Sequence, residues 1–272
     1  MKNKKIVLVT GVSSGIGNAF VRQALTNSKM VIVGMGREEP ENIKDKNFYY
    51  QRIDLKDEVS VNKAIKNIFK KLGRIDVLVN NAGVGYRGTI EDMTMAEMRD
   101  QFEVNFFGQV HLTNLVLPIM RKQKEGQIIN VSSVASVMST PTMGFYAATK
   151  SAMDKITEVL AQEVAPYNII VNSLVPGAVK SGFGKNIIEA KSATTGVYTN
   201  LYEEWKLRFR SYFKKHNSSD EVASKIMSMI INPQTEVYVS KKDLIMCYFK
   251  RTLPKSWFKW LFLKYYYRYE SQ

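Results

Sequence analysis

Short apolar runs rich in β-branched residues alternate along this chain with segments of helical length. Residues 6–9, 31–33, 48–53, 77–79, 128–131 and 169–174 read as strands, with a seventh near 236–239. Several of them, such as Ile-Val-Leu-Val at 6–9 and Val-Ile-Val at 31–33, are apolar without alternation, the pattern of strands covered by helices on both faces. The intervening segments predict helices over 15–27, 57–72, 95–121 with a break, 144–164, 200–215 and 219–231. Strands alternating with crossover helices predict an α/β fold, a doubly wound parallel sheet of about seven strands. Neither low-complexity linkers nor internal repeats interrupt it. We expect one domain over 1–240, including a substrate segment near 182–216, and a basic, aromatic C-terminal extension over 241–272.

Composition narrows the class. A chain of 272 residues, 45% hydrophobic and 24% charged, is too apolar for a disordered protein and the right size for one large α/β domain. The single Cys247 forms no internal disulfide, and no CxxC or HxxxH spacing accompanies His111 and His216, so disulfide scaffolds and zinc modules are excluded and no metal site is expected. The N-terminal apolar run, Ile6 to Val9, is too short for a signal peptide or a membrane span, which makes the cytoplasm the expected compartment. The net charge of +14 favours anionic partners: a phosphorylated cofactor, acidic lipid or nucleic acid. Residues 241–272 hold eight basic and two acidic side chains, so the excess is concentrated there. No nucleic-acid-binding motif accompanies it, and no specific nucleic-acid partner is expected.

The first strand runs into Thr10-Gly11-Val12-Ser13-Ser14-Gly15-Ile16-Gly17 and then a helix. Glycines there let the backbone turn tightly and approach a pyrophosphate, while free N–H groups and the helix dipole favour its charge. Further along, Asn80-Asn81-Ala82-Gly83 follows strand four, Asn105 lies in the next helix, Ser133 follows strand five, Tyr146-Ala147-Ala148-Thr149-Lys150 opens a helix and Pro176-Gly177 follows strand six. In this order and spacing, over residues 5 to about 182, the chain resembles the short-chain dehydrogenase/reductase family. The resemblance implies a Rossmann-like fold, a nicotinamide dinucleotide and oxidation or reduction of a carbonyl/alcohol pair. It also implies cofactor contacts from Gly11, Ser13, Ser14, Gly15, Ile16 and Gly17 in the turn, from Asp54 and Leu55 toward the adenine, and from Asn81, Ala82 and Gly83. Tyr146, Lys150, Pro176, Gly177, Val179 and Ser181 complete the set toward the nicotinamide.

Strand two ends in Gly34-Met35-Gly36-Arg37, without the carboxylate that would repel a 2′-phosphate. Arg37 offers a cation with a planar fork of donors, and Ser14 a hydroxyl, so NADP(H) is favoured over NAD(H). Tyr146 and Lys150 are four apart, one turn along a helix face. A free phenol ionises near ~10. A unit charge about 4 Å away at an effective dielectric of ~20 is worth roughly 4 kcal/mol, about three pK units, enough to make Tyr146 a general acid/base. Family spacing assigns Ser133, with Ser132 as its rival, to orient the substrate oxygen. It assigns Asn105 to hold a water that links Lys150 to solvent, and Lys150 a second role at the nicotinamide ribose.

Ligands of open α/β sheets lie beyond the C-terminal strand ends, so residues after strand six should cover the substrate. Residues 182–199 show no period and read as a loop. Leu201, Trp205, Phe209, Tyr212 and Phe213 recur at helical spacing opposite Lys206, Arg210 and Lys214, as either a lid over an apolar substrate or a helix packed on the core. The aromatic, basic tail suits either a peripheral contact with acidic lipid or packing on the parent domain or a second subunit. The expected function is an NADP(H)-dependent oxidoreductase acting on a small apolar carbonyl or alcohol, in a dimer or tetramer. A non-catalytic cofactor sensor on the same fold is the alternative, and such proteins typically lose the tyrosine or the lysine.

Overall fold

The computed structural model describes residues 4–190, 196–213, 217–254, 256–257 and 260, leaving aside the side chains of residues 185 and 209–213. Seven strands, β1 (Lys5–Thr10), β2 (Met30–Gly36), β3 (Phe48–Arg52), β4 (Val77–Asn80), β5 (Gly126–Val131), β6 (Ile169–Val175) and β7 (Glu236–Tyr238), form one parallel sheet in the order β3-β2-β1-β4-β5-β6-β7. The helices are α1 (Gly15–Leu25), α2 (Glu58–Leu72), α3 (Met95–Phe102), α4 (Gly108–Gln123), α5 (Gly144–Val164), α6 (Thr199–Phe213), α7 (Ser219–Ile231) and α8 (Lys241–Thr252). Successive residues of β1 feed opposite cores. Val7 and Val9 pack with Phe20 of α1 and Ile226 of α7, while Ile6 and Leu8 pack with Ile65 of α2 and Leu112 of α4. Both cores need apolar residues at every position of the central strands, which is why those strands lack alternation.

Every expected strand and helix is present, and the architecture is the doubly wound, Rossmann-like sheet. The expected break in 95–121 is a π turn over Glu103–Phe107 between α3 and α4. One feature departs from expectation, and the start of the C-terminal extension takes a definite form. The unpatterned 182–199 segment contains a short parallel pairing of Ile188–Glu189 with Tyr86–Arg87, because Ile188 N–H donates to Gly85 O and Ala190 N–H to Arg87 O, both at 2.8 Å. The C-terminal segment begins with α8, capped by the Ser240 hydroxyl and anchored by Cys247, which is fully buried beside Val134 and Val175. The side chains of Phe209, Arg210, Tyr212 and Phe213, together with Lys214, His216, Lys255, Phe258, Lys259 and 261–272, lie outside the described residues.

Buried polar links set the height of α5 over the sheet. The Asn80 amide of β4 donates to Asn130 Oδ1 of β5 at 2.8 Å, and Asn130 Nδ2 donates to Thr157 Oγ1 of α5 at 2.8 Å. Each partner is buried, so these bonds form only in one alignment of the three elements. Lys150 and Tyr146 lie two and three turns up the same helix.

Candidate active site

One cavity of about 1100 Å³ opens along the C-terminal ends of the strands. Its floor is the glycine turn, where Gly11 and Gly15 adopt φ of +75° and +59°, a region where a side chain is strained. The Thr10 hydroxyl accepts from the N–H groups of Asn81 and Ala82 at 3.0 and 2.9 Å, and Asn81 Nδ2 donates to Thr10 O at 2.8 Å. The residues around Gly11 and Gly83 are thereby locked together. Gly17 lies beneath the turn, where a Cβ would strike the Gly11 carbonyl, so it serves close packing of helix on strand and does not face the cavity. Gly11, Ser13, Ser14, Gly15 and Ile16 line the cavity, as do Arg37, Asp54, Leu55, Asn81, Ala82, Gly83, Pro176, Gly177, Val179 and Ser181.

The residues fit a dinucleotide. Helix α1, like α5, begins with neither a side-chain cap nor an acidic residue in its first turn, and its N-cap Ser14 and first residues Gly15 and Ile16 line the cavity. Its first N–H groups therefore face the cavity without an internal anion, the arrangement that receives a phosphate. At the far end Arg37 is exposed and forms no salt bridge among the described residues, although, against the desolvation of Asp100 and together with hydrogen bonds from Lys56 and Tyr86, its charge helps hold that carboxyl below its ordinary value. Asp54 does not cap α2; that task falls to Asp57, which accepts from Val59 N and Ser60 N. Asp54 Oδ1 instead accepts from Lys56 N at 3.0 Å and holds the strand end in a turn. Lys56, which the sequence reading did not single out, also lines this end and donates to Asp100 at 2.8 Å; Asp100 accepts in turn from the Tyr86 hydroxyl at 2.9 Å.

At the other end Ser133, Tyr146 and Lys150 meet. Ser133 sits just past β5 and accepts from Ala135 N at 3.1 Å. It is Ser133, not Ser132, that hydrogen-bonds the Tyr146 phenol. Burial pushes that phenol up to about 12, with the Ser133 bond acting the other way. Burial pushes the Lys150 ammonium down to about 8, opposed by Asp154. The expected lowering of the phenol by a neighbouring cation is therefore not what this state shows. The cause is geometric: Lys150 Nζ donates to Val131 O at 2.8 Å and stands 5.9 Å from the centre of the tyrosine ring, so desolvation outweighs attraction. A phenol in this state keeps its proton at neutral pH and is set up to donate it.

Asn105 is fully buried in the π turn and does not line the cavity. Its Oδ1 accepts from Val84 N at 2.8 Å, and its Nδ2 donates to Val84 O at 2.9 Å and to Thr149 Oγ1 at 3.2 Å. The amide thus ties the loop after β4 to α5 beside the reacting pair. The extra residue of the π turn rotates Asn105 inward, an effect that a regular helical reading of 95–121 does not reveal.

Val134, Met138, Met143, Phe183, Trp205 and Met246 line the cavity with apolar side chains, interspersed with Thr140, Asn186, Arg208 and Lys242. The Phe183 ring centre is 5.5 Å from that of Tyr146. Helix α6 is packed on the domain through the fully buried Tyr202, beside Met93 and Ala190, and also lines the cavity through Trp205. Lys206, expected on the outer face, is instead drawn to Glu189 at 2.7 Å. Of the apolar lining residues, the sequence reading singled out only Trp205; a surplus of methionine near strand ends is the signal that could have found the others.

A parallel sheet with this strand order and a glycine turn under a strand-end cleft that holds a Tyr–Lys–Ser cluster define a dinucleotide-binding oxidoreductase domain. The family model for short chain dehydrogenase matches residues 5–192. A 3-ketodihydrosphingosine reductase of Bacteroides thetaiotaomicron is 41% identical over 182 residues, 67% of this chain and 66% of that protein. An NADPH-dependent 3-dehydrocapnine reductase of Ornithobacterium rhinotracheale is 35% identical, over 65% of this chain and 66% of that protein. Among solved structures, a short-chain dehydrogenase from Streptomyces avermitilis superposes with a TM-score of 0.78 at 27% identity, covering 90% of this chain and 92% of its own. The chain belongs to the short-chain dehydrogenase family and is an oxidoreductase of that class. The match to each of the two reductases spans about two thirds of its length, and the family match ends before α6 and α8.

Proposed function

We propose that this protein is an NADP(H)-dependent oxidoreductase that interconverts a carbonyl and an alcohol on an apolar, chain-like substrate. The observation that carries this reading is the meeting, at one end of a single cavity, of Tyr146, its hydrogen-bonded Ser133 and the buried Lys150 with a wall of methionine and aromatic side chains. The cofactor, when bound, supplies or accepts the hydride. Ser133 orients the substrate oxygen, and Tyr146 gives that oxygen its proton in reduction or removes one in oxidation. Lys150 supplies positive charge behind the phenol and a donor for the nicotinamide ribose, and Asn105 holds the backbone and a water behind it. The first turn of α1 takes the pyrophosphate, while Arg37 and Ser14 take the 2′-phosphate, which favours NADP(H).

The names of the two reductases support a long-chain 3-keto substrate as the first to be tried. Exposed Phe107, Ile156 and Val159, on the π turn and α5, support assembly into a homo-oligomer through these helices. The deciding assay is loss of reduced-nicotinamide absorbance with 3-ketodihydrosphingosine and a panel of shorter ketones, with NADPH and NADH compared, for wild type and Tyr146→Phe. The variant should bind NADPH as the wild type does and lose at least about a hundredfold in turnover. Equal turnover by the two would remove Tyr146 from the chemistry.

A further inference from the structure

Helix α8 has three distinct sides. Asp243 and Cys247 point inward and are buried, and Lys242 and Met246 border the cavity. The third side carries Leu244, Ile245, Tyr248 and Phe249, whose exposures of 47, 53, 63 and 55% place a stripe of large apolar side chains in solvent. At 100° per residue these four fall within about 140° of arc, with Lys241 among them and Lys242 and Arg251 along the two borders. Beyond the helix, Trp257 and Trp260 are also more than half exposed.

We propose that this stripe is a docking surface for an anionic lipid bilayer, and that the protein lies on the membrane through α8. Four observations select lipid as the occupant. The stripe combines aliphatic and aromatic side chains with bordering lysines, the chemistry of a helix lying in the headgroup region. Neither Lys241 nor Lys242 forms an ion pair with a carboxylate among the described residues, while Arg251 is already held by Glu236 at 3.0 and 3.1 Å. The charge is therefore offered to an external anion at the end of the helix where the stripe begins, and the local sequence excess of basic residues has the same sign. A twelve-residue helix is about 18 Å long and about 10 Å wide, so the stripe covers on the order of 200 Å², far less than the ~800 Å² per partner of a stable protein interface. Finally, α8 also borders the cavity. An apolar substrate leaving a bilayer at the stripe would meet Met246 and the cavity one side chain further round; this part of the inference rests on the function proposed above, whereas docking itself does not. No helix among the described residues is long and apolar enough to cross a membrane, so contact would be peripheral.

The test is co-sedimentation of the full chain with large unilamellar vesicles, either phosphatidylcholine alone or phosphatidylcholine with 30 mol% phosphatidylserine. The variant Leu244→Ser/Ile245→Ser/Phe249→Ser is compared with wild type, its folding checked by circular dichroism and thermal melting. Lys241→Glu/Lys242→Glu is the charge counterpart, and sedimentation velocity without vesicles reads the oligomeric state. We expect wild type to pellet with the anionic vesicles, to release when salt is raised to 0.5 M, and to bind pure phosphatidylcholine at least about tenfold more weakly. The stripe variant should keep its melting temperature and lose at least about tenfold in partitioning, as burial of three half-exposed side chains would be lost. Absence of wild-type binding to anionic vesicles would overturn the proposal, as would equal binding by the stripe variant. A smaller oligomer in the stripe variant without any vesicle binding by wild type would assign the face to a second copy instead. None of these readouts depends on turnover, so failure of the proposed reaction would leave the docking result standing.

Discussion

Adding one methyl group at Gly177 tests how the cofactor cleft is closed. A Cβ there would stand 2.5 and 2.6 Å from the two carboxylate oxygens of Asp243 and 2.7 Å from its Cγ, about 1 Å inside ordinary contact. Asp243 has little room to retreat: it is 2% exposed, accepts from the Ser240 hydroxyl at 2.7 Å, and sits on a helix pinned by the fully buried Cys247. The strain in Gly177→Ala must shift either α8 or the Pro176–Gly177 turn, at a cost of about 1–3 kcal/mol. At this chain length each kcal/mol lowers the melting temperature by roughly 2 °C, so a fall of about 2–6 °C is expected. Because Gly177 lines the cavity, NADPH affinity should fall with it. The discriminating measurement is a double-mutant cycle by urea unfolding. Asp243→Ala removes the colliding carboxylate, so Gly177→Ala should cost at least about 1 kcal/mol less in that background. Additive effects would mean that the collision is relieved elsewhere and that α8 does not buttress the turn.

Three further outcomes follow from the same structure. Arg37→Ala should raise the NADPH dissociation constant about tenfold and leave that for NADH unchanged, the loss of one charge-assisted contact of about 1.5 kcal/mol; equal changes for the two cofactors, read by fluorescence titration, would remove Arg37 from cofactor selection. Burial holds Lys150 down at about 8, below the unfolded value of 10.5, so the folded protein binds fewer protons across that interval. Wild-type unfolding free energy should therefore rise relative to Lys150→Met between about pH 8 and 10.5, and parallel curves would show that Lys150 is not desolvated. The Glu189–Lys206 pair fastens α6, but Glu189 is 41% exposed, so Glu189→Gln should cost less than about 1 kcal/mol in stability; its effect should appear as a raised KM, through Trp205, and an unchanged KM would separate the pair from substrate binding.

The strands, the crossover helices, the glycine turn and the spacing from Asn81 to Gly177 were legible in the chain itself. They rest on local rules: apolar runs that need two covered faces, helical periodicity, and glycine where φ is positive. Ser133 and Lys150 were named through the family resemblance of their spacing, which left Ser132 as a rival to Ser133.

Tertiary structure decided the rest. The state of Tyr146 depends on burial and on the direction of the Lys150 side chain toward Val131, neither of which a four-residue spacing encodes. Asn105 faces inward because a π turn adds a residue to the helix. The substrate wall is assembled from Val134, Phe183, Trp205 and Met246, which lie far apart in sequence on elements whose individual periodicity only says that one face is apolar, not which neighbour that face meets. The outward stripe of α8 arises the same way: the sequence left the C-terminal segment open between packing and an outward contact, and the burial of Asp243 and Cys247 on the opposite side is what leaves its four apolar residues in water.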